Sequence, residues 1–202
     1  MARLSRLTGV FGMAILLTAC PRSSAVCTPP DSVILAVGLR AQQTGMWCWA
    51  ASGQMTMNFV HPASNVQQGD EANRRFGRTD CGNTPTPSAC VLGGWPEYEK
   101  YSFSRTRTSN QALTWDQLRR EIGCASRPIA FSWHWPGGGG HMMVVIGYRT
   151  LAGSGNWVLV NDPWPPTPSA GTQSWMLYDR YVATPGDHTH WDDFYEIRYT
   201  GN

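Results

Sequence analysis

The feature that most constrains the fold of this chain is a change in hydrophobic spacing between its two halves. Residues 48–59 contain no proline and are mostly apolar, which predicts a helix buried in the core. Residues 64–75 predict a second, polar helix. In the second half, short apolar runs alternate with Gly/Pro turns, which predicts strands. The predicted strands cover residues 128–135, 141–148, 156–161, 174–178 and 193–199. A helical half followed by an antiparallel β half indicates an α+β fold with a cleft between the two.

Shorter elements complete this outline. The apolar, β-branched run at 32–37 predicts a first strand, and residues 77–97 predict a loop rich in Gly and Pro. Thr114 and Gln117 have capping-box spacing, which predicts a short helix over 114–120 that ends near Gly123.

Composition and charge exclude several classes of protein. The 202 residues are 42% hydrophobic and only 15% charged, which excludes a disordered chain and fits one domain with a sizeable core. The net charge is +2, and Arg3 and Arg6 account for it, so the rest of the chain is near neutral. No basic run is interleaved with aromatic residues, so nucleic acid is not an expected partner.

The N-terminus predicts export. Residues 1–19 read as a signal peptide, because a basic start precedes an apolar stretch that is too short to span a bilayer. The end of this segment, Leu-Thr-Ala-Cys at 17–20, resembles a bacterial lipobox. That resemblance implies a diacylglycerol on the Cys20 thiol. It also implies an outer-membrane or cell-surface anchor, because Pro21 follows the cysteine in place of the aspartate that is often linked to inner-membrane retention. Residues 20–33 are predicted to form a tether, because this segment is rich in Ser and Pro. The alternative is cleavage after Ala19 and release into the periplasm or the medium.

Cys48 is the first candidate for chemistry. A nucleophilic cysteine reacts as its thiolate, and a helix N-terminus or a nearby imidazolium favours that anion. Cys48 stands where the buried helix should begin, between Trp47 and Trp49, which are expected to keep water away. The alternative is a structural thiol buried on a core helix.

The remaining cysteines predict disulfides. With Cys20 assigned to lipid and Cys48 to chemistry, four cysteines in an oxidising compartment allow three pairings. We favour Cys81 with Cys90, because they enclose eight residues rich in Pro, Asn and Gly, which leaves Cys27 with Cys124. Their spacing does not fit a zinc site.

A histidine and an aspartate are placed to assist Cys48. His141 follows four glycines and opens an apolar strand, so it should face the cleft. The competing histidine, His134, lies inside a strand and reads as a core or surface residue. Asp162 follows the strand at 156–161 and can orient an imidazole, with Asn161 as the fallback. Alternatively, Asp162 is only a turn residue before Pro163.

Together these motifs resemble those of papain-like cysteine peptidases. The resemblance is greatest to the bacterial branch of that family, which includes avirulence-effector proteases. The resemblance covers about residues 34–199. It rests on Gln-x5-Cys-Trp-Ala at 42–50, on His141 before a strand ending Gly-Tyr, and on Val-Asn-Asp-Pro-Trp at 160–164. It implies a papain-like fold, in which a helical lobe (about 34–112) with a central nucleophile helix packs on an antiparallel β lobe (about 113–202).

The resemblance also implies roles for single residues. Cys48 is the nucleophile, His141 the base and Asp162 its orienter, while Gln42, with Gln43 one step away, donates to the oxyanion hole. Substrate would contact three further residues, which are Trp47, Gly94 and Trp164. One departure stands out. Gly45 occupies the position where plant and animal members carry a cysteine, so their disulfide to a Cys-x-Gly-Gly loop cannot form.

The expected reaction is peptide-bond hydrolysis through a thioester, on a protein or peptide substrate and without metal or cofactor. Two alternatives stay open: a transglutaminase-like acyltransferase or deamidase with the same three residues, and an inactive binding lipoprotein of the same fold. His188 and His190 beside Asp187 form a polar cluster, which we interpret as a solvated loop because no further metal ligand lies nearby in sequence.

Overall fold

The computed structural model describes residues 27–201. The predicted signal peptide, Cys20 and the first part of the predicted tether lie outside the described residues. Within them, no helix combines the length and the apolar character that a membrane span requires.

Residues 27–201 contain four α-helices. They are α1 (Cys48–Val60), α2 (Gln68–Phe76), α3 (Trp115–Arg119) and α4 (Tyr178–Val182). Helix α1 is buried over its middle turns and runs through the core, as its apolar sequence predicts. Helix α2 has acidic residues in its first turn and arginines in its last, and Gly77 ends it in the left-handed conformation. Thr114 caps α3 through the predicted capping box with Gln117.

In the described part of the chain, eight strands form one antiparallel sheet. They are β1 (Ser32–Ile34), β2 (Phe103–Arg107), β3 (Ile129–His134), β4 (Gly140–Leu151), β5 (Gly155–Asp162), β6 (Thr172–Leu177), β7 (Ala183–Thr184) and β8 (His188–Tyr199). The sheet order is β2-β8-β3-β4-β5-β6, with β1 paired to β4 and β7 paired to β8. Helix α1 packs against β4, β8 and β3, so the core lies between the buried helix and the sheet.

Strand β2 differs from the prediction. It lies inside the segment predicted as the helical lobe, yet it forms the edge of the sheet on β8 with a bulge between Ser104 and Thr106. Only Phe103 of this strand is buried, so its sequence shows no apolar alternation from which a strand could be predicted. Strand β8 is also longer than predicted, since it begins at His188.

Residues 27–33, predicted as the end of a tether, are held against the folded body. Cys27 forms a disulfide with Cys124. The Tyr148 hydroxyl donates to the Pro30 carbonyl at 2.8 Å, and β1 follows directly.

Candidate active site

Cys48 is the first residue of α1 and the one free cysteine among the described residues. Its side chain is half-buried. No side chain caps the start of α1, so the N–H groups of the first turn stay available near the sulfur. This end of a helix favours a negative charge.

His141 and Asp162 meet across neighbouring strands. His141 is the second residue of β4, and Asp162 is the last residue of β5. The two strands pair in a register that sets Val144 opposite Asn161, which brings the two side chains to the same end of the sheet. Nε2 of His141 lies 2.6 Å from Oδ1 of Asp162, and this carboxylate oxygen also accepts from the backbone N–H of Trp164 at 2.8 Å.

The Cys48 sulfur is the second group that acts on the charge of the His141 ring. Because Asp162 occupies Nε2, Nδ1 is the ring nitrogen left for Cys48. Burial of the ring lowers its pKa, but the Asp162 carboxylate and the Cys48 sulfur outweigh this effect and raise the pKa of His141 from 6.5 to about 9. The structure thus brings Cys48, His141 and Asp162 to the wall of one cavity, where the imidazolium is favoured at neutral pH.

The two glutamines before Cys48 have different surroundings. Gln42 is buried in the wall of the cavity that contains Cys48, whereas Gln43 is exposed. The side-chain amide of Gln42 donates to the Thr44 carbonyl at 2.7 Å, and a primary amide has a second N–H bond for a further acceptor. Of the two candidates, Gln42 is therefore the one placed to meet a substrate oxygen beside Cys48.

Cys48, His141 and Asp162 open into a cavity of about 610 Å³. Its apolar and small wall residues include Met46, Trp49, Gly94, Trp95, Trp135, Met142, Trp164 and Trp191. Trp164 is 51% exposed and stands at the rim, as expected for a residue that covers the site. Sequence reasoning did not identify Arg75, Trp95, Trp135 and Trp191 as wall residues. They come from separate segments, and no local pattern links them to Cys48.

The role predicted for Trp47 as a substrate-binding residue is contradicted by its position. Trp47 is fully buried and lies outside the cavity wall. Its indole N–H donates to the Cys90 carbonyl at 2.8 Å, and the indole N–H of Trp49 donates to the Leu92 carbonyl at 3.1 Å. These two bonds fasten the loop that carries Gly94 to the segment around Cys48.

The disulfides follow the pairing favoured from the sequence. Cys81 pairs with Cys90, and Cys27 pairs with Cys124. Asp80 lies close to the first pair, but both sulfurs there are bonded to each other and are not free metal ligands.

The polar cluster at 187–190 is not the solvated loop that we predicted. Both His188 and His190 are buried in β8. His188 is bonded to the Asp187 carboxylate and to the Arg180 carbonyl, each at 2.8 Å, and it stacks on Trp133. His134, the competing base, instead packs edge-on against Trp191 at 4.9 Å between ring centroids. The cavity histidine is His141.

Comparisons with known proteins agree with this geometry. Residues 32–177 match the model of a family described as papain-like cysteine protease AvrRpt2. No curated protein sequence matches the chain.

Three solved structures resemble the fold at low sequence identity. The proform of the Amb a 11 cysteine protease, a major ragweed pollen allergen, has a TM-score of 0.51 and 15% identity, over 85% of this chain and 66% of that chain. A recombinant stem bromelain precursor has a TM-score of 0.49 and 11% identity, over 85% and 71% of the two chains. The bromelain protease from Ananas comosus in complex with the E64 inhibitor has a TM-score of 0.46 and 12% identity, over 82% and 98%. The first of these matches shows a papain-like fold, in agreement with the predicted α+β class.

Proposed function

The chain belongs to the papain-like cysteine protease family, and we propose that it hydrolyses peptide bonds with Cys48 as nucleophile, His141 as general base and acid, and Asp162 as the residue that orients His141. One observation carries this proposal. Cys48, His141 and Asp162 line the same cavity, and the His141 ring is bonded to the Asp162 carboxylate while the Cys48 sulfur raises its pKa.

The reaction begins with the Cys48 thiolate, which attacks the carbonyl carbon of the scissile peptide bond. The imidazolium of His141 then protonates the leaving amine nitrogen as the C–N bond breaks, which leaves a thioester on Cys48. His141, now neutral, removes a proton from a water molecule that attacks the thioester. The acid product leaves, and the thiolate–imidazolium pair forms again.

The negative oxygen of both tetrahedral intermediates needs hydrogen-bond donors. We assign this role to the side-chain amide of Gln42 and to the backbone N–H of Cys48 at the start of α1, because both residues line the cavity. Donors of this kind act strongly in a site that excludes water, and Trp164 at the rim supports such exclusion.

The substrate is a protein or peptide. Gly94 lines the cavity, and a Cβ atom at this position would come within 2.9 Å of the Trp49 ring, so the loop backbone itself forms this part of the wall. Any other residue at position 94 would displace its neighbours, so the shape of this part of the wall depends on the glycine.

The site of action follows from the N-terminal sequence. We propose that the protease is exported and anchored by lipid on Cys20, and the two disulfides are typical of an oxidising compartment. Radiolabelled palmitate should enter the wild-type protein but not Cys20→Ala. Equal labelling of both would contradict the anchor.

Covalent labelling tests the catalytic assignment. We expect the epoxysuccinyl inhibitor E64 to add one molecule to the wild-type protein, with Cys48 as the modified residue by peptide mass spectrometry. Cys48→Ala should stay unlabelled and should keep its circular dichroism spectrum. Failure of folded, reduced wild-type protein to react would contradict the proposal and favour an inactive binding protein.

A second measurement separates peptidase from acyltransferase. Incubation with a protein mixture and a labelled primary amine should create new peptide N-termini, detected by terminal labelling, and should leave the amine unincorporated. Amine incorporation without new N-termini would instead assign the thioester to transfer chemistry.

A further inference from the structure

We propose that Gln68 is a positioning residue for the oxyanion hole: its side-chain amide clamps the backbone on both sides of Gln42 and thereby sets where the Gln42 amide stands. The inference rests on the role proposed above for Gln42.

The clamp is formed by a pair of hydrogen bonds to consecutive peptide groups. Nε2 of Gln68 donates to the Ala41 carbonyl at 2.9 Å, and Oε1 of Gln68 accepts from the backbone N–H of Gln43 at 2.9 Å. One carboxamide therefore pairs with the chain immediately before and immediately after Gln42. A pair of bonds in a fixed plane restrains position and orientation together, which a single bond does not.

The clamp is itself held rigidly. Gln68 is the first residue of α2 and only 2% exposed. Its Nε2 also donates to Oε1 of Gln54 on α1 at 3.0 Å, and the amide of Gln54 donates in turn to the Val66 carbonyl at 3.1 Å. These bonds thus hold the segment that carries Gln42 in a fixed position relative to α1, the helix that begins with Cys48.

The start of α2 is fixed from its other side as well. A Cβ atom on Gly69 would come within 2.7 Å of the Gly82 Cα, so the first turn of α2 packs directly on the loop closed by the Cys81–Cys90 disulfide. Side-chain bonds from a rigid support are the usual means of holding a catalytic donor to within a fraction of an ångström.

The β side completes the restraint. The backbone N–H of Gln42 donates to the Pro163 carbonyl at 3.0 Å, and the Gln42 carbonyl accepts from the Thr167 N–H at 3.0 Å. Pro163 follows Asp162 directly, so this contact links Gln42 to the segment that orients His141. Gln68 supplies the matching hydrogen bonds from the helical side. Without them, the backbone at Gln42 would be held only by its bonds to Pro163 and Thr167.

The test is a double-mutant cycle in the full-length protein with a peptide substrate. Gln68→Met keeps the length of the side chain and removes both bonds of the clamp. We expect kcat to fall about tenfold, because a donor misplaced by a fraction of an ångström loses part of its effect, with KM changed by less than about twofold. In the Gln42→Ala background, the same substitution should cause no further loss of kcat.

Two readouts separate positioning from general damage. Alkylation of Cys48 by iodoacetamide uses the sulfur and His141 but no oxyanion donor, so its rate should stay at the wild-type value in Gln68→Met. Thr56→Val is the matched control, since Thr56 is buried on α1 and bonded to Tyr98 at 2.9 Å, away from Gln42. It should lower the melting temperature and leave kcat unchanged. Wild-type kcat in Gln68→Met, independent losses in the cycle, or an equal loss in Thr56→Val would each overturn the inference.

Hydrogen–deuterium exchange tests the clamp without any activity. Peptides that cover residues 40–44 should exchange faster in Gln68→Met than in the wild type, and Thr56→Val should not change them. If exchange rises while the wild type shows no peptidase activity, the clamp stands and the proposed function fails. If exchange is unchanged, the clamp is wrong whatever the activity.

Discussion

The two sides of the cavity hold their reactive groups by different means. His141 and Asp162 lie on adjacent strands, and the backbone ladder between β4 and β5 sets their relative position. Cys48 and Gln42 lie at the start of a helix and in the loop before it, where side chains from distant residues fasten the backbone. Trp47 and Trp49 hold the loop at 90–94, and Gln68 holds the loop at 41–43.

The difference implies two kinds of sensitivity to mutation. A position set by a ladder of backbone hydrogen bonds tolerates substitution of most side chains around it, since the ladder does not depend on them. A position set by side-chain bonds depends on each donor, and removing one leaves a buried carbonyl or N–H without a partner. On the β side, only the reacting residues themselves should be critical. On the helical side, residues that touch no substrate should matter as well.

The largest effect is expected on the β side at the base itself. His141→Ala should lower kcat/KM for a peptide substrate by about 10⁴-fold or more, because both the thiolate partner and the proton donor are lost. His134→Ala is the matched control, since His134 also lies in the sheet and packs on Trp191, and it should stay near wild type. Equal inactivation by both substitutions would mean that the sheet, not the base, had been damaged.

The orienting carboxylate should have the next largest effect and a distinctive pH dependence. The pKa of His141 is raised to about 9, so the imidazolium persists from neutral pH upward and is lost as the pH rises through about 9. Any contribution of this charge to the free energy of unfolding is fully present below pH 6.5, the ordinary pKa of histidine. It is lost as the pH rises through about 9, the pKa of His141 in the folded protein. Wild-type kcat/KM should therefore decline near pH 9.

In Asp162→Asn, we expect kcat/KM at pH 7 to fall about 100-fold and the alkaline decline to move to lower pH, because the charged partner of the ring is gone. A pH–rate profile of both proteins gives the measurement. Asp187→Asn removes a carboxylate bonded to a different histidine, His188, which does not line the cavity, and should leave the profile unmoved. An unchanged alkaline limb in Asp162→Asn would show that this carboxylate does not control the charge of His141.

The comparison also explains how far prediction from the sequence could reach. Helix α1 and the strands that carry His141 and Asp162 were predictable because local hydrophobic spacing encodes them, and strand pairing then brings the two residues together. Strand β2 was not predictable, because it is an exposed edge with a single buried residue. The structural role of Trp47 and the clamp at Gln68 depend on contacts between residues 25 to 43 positions apart, for which a single sequence carries no periodic signal.

On the helical side, Trp47→Phe should reduce the free energy of unfolding by about 1 kcal/mol, since the buried Cys90 carbonyl loses the indole donor and keeps only the Leu92 N–H. Urea unfolding measures this change. Trp157→Phe removes an indole N–H that donates to the exposed Ser154 carbonyl at 2.9 Å, and it should cost less than about half as much because water can replace the donor. Equal losses would show that burial of the Cys90 carbonyl is not the cause. A modest rise in KM should accompany Trp47→Phe, because the fastened loop carries Gly94.

The smallest effect is expected from a substitution at Gly94, in the loop at 90–94. A Cβ atom at Gly94 would come within 2.8 Å of the Arg75 Cδ and 2.9 Å of the Trp49 ring, so Gly94→Ala must displace the loop or the arginine. We expect KM to rise about fivefold with kcat unchanged, because substrate binding is disturbed while Cys48 and His141 stay in place. Gly93→Ala would meet only the Met46 methyl group at 3.7 Å, an ordinary contact, and should raise KM less. A fall in kcat instead of a rise in KM would show that the loop at 90–94 positions the nucleophile Cys48 itself. On the helical side, residues of the cavity wall could then no longer be separated from residues that act on the reaction.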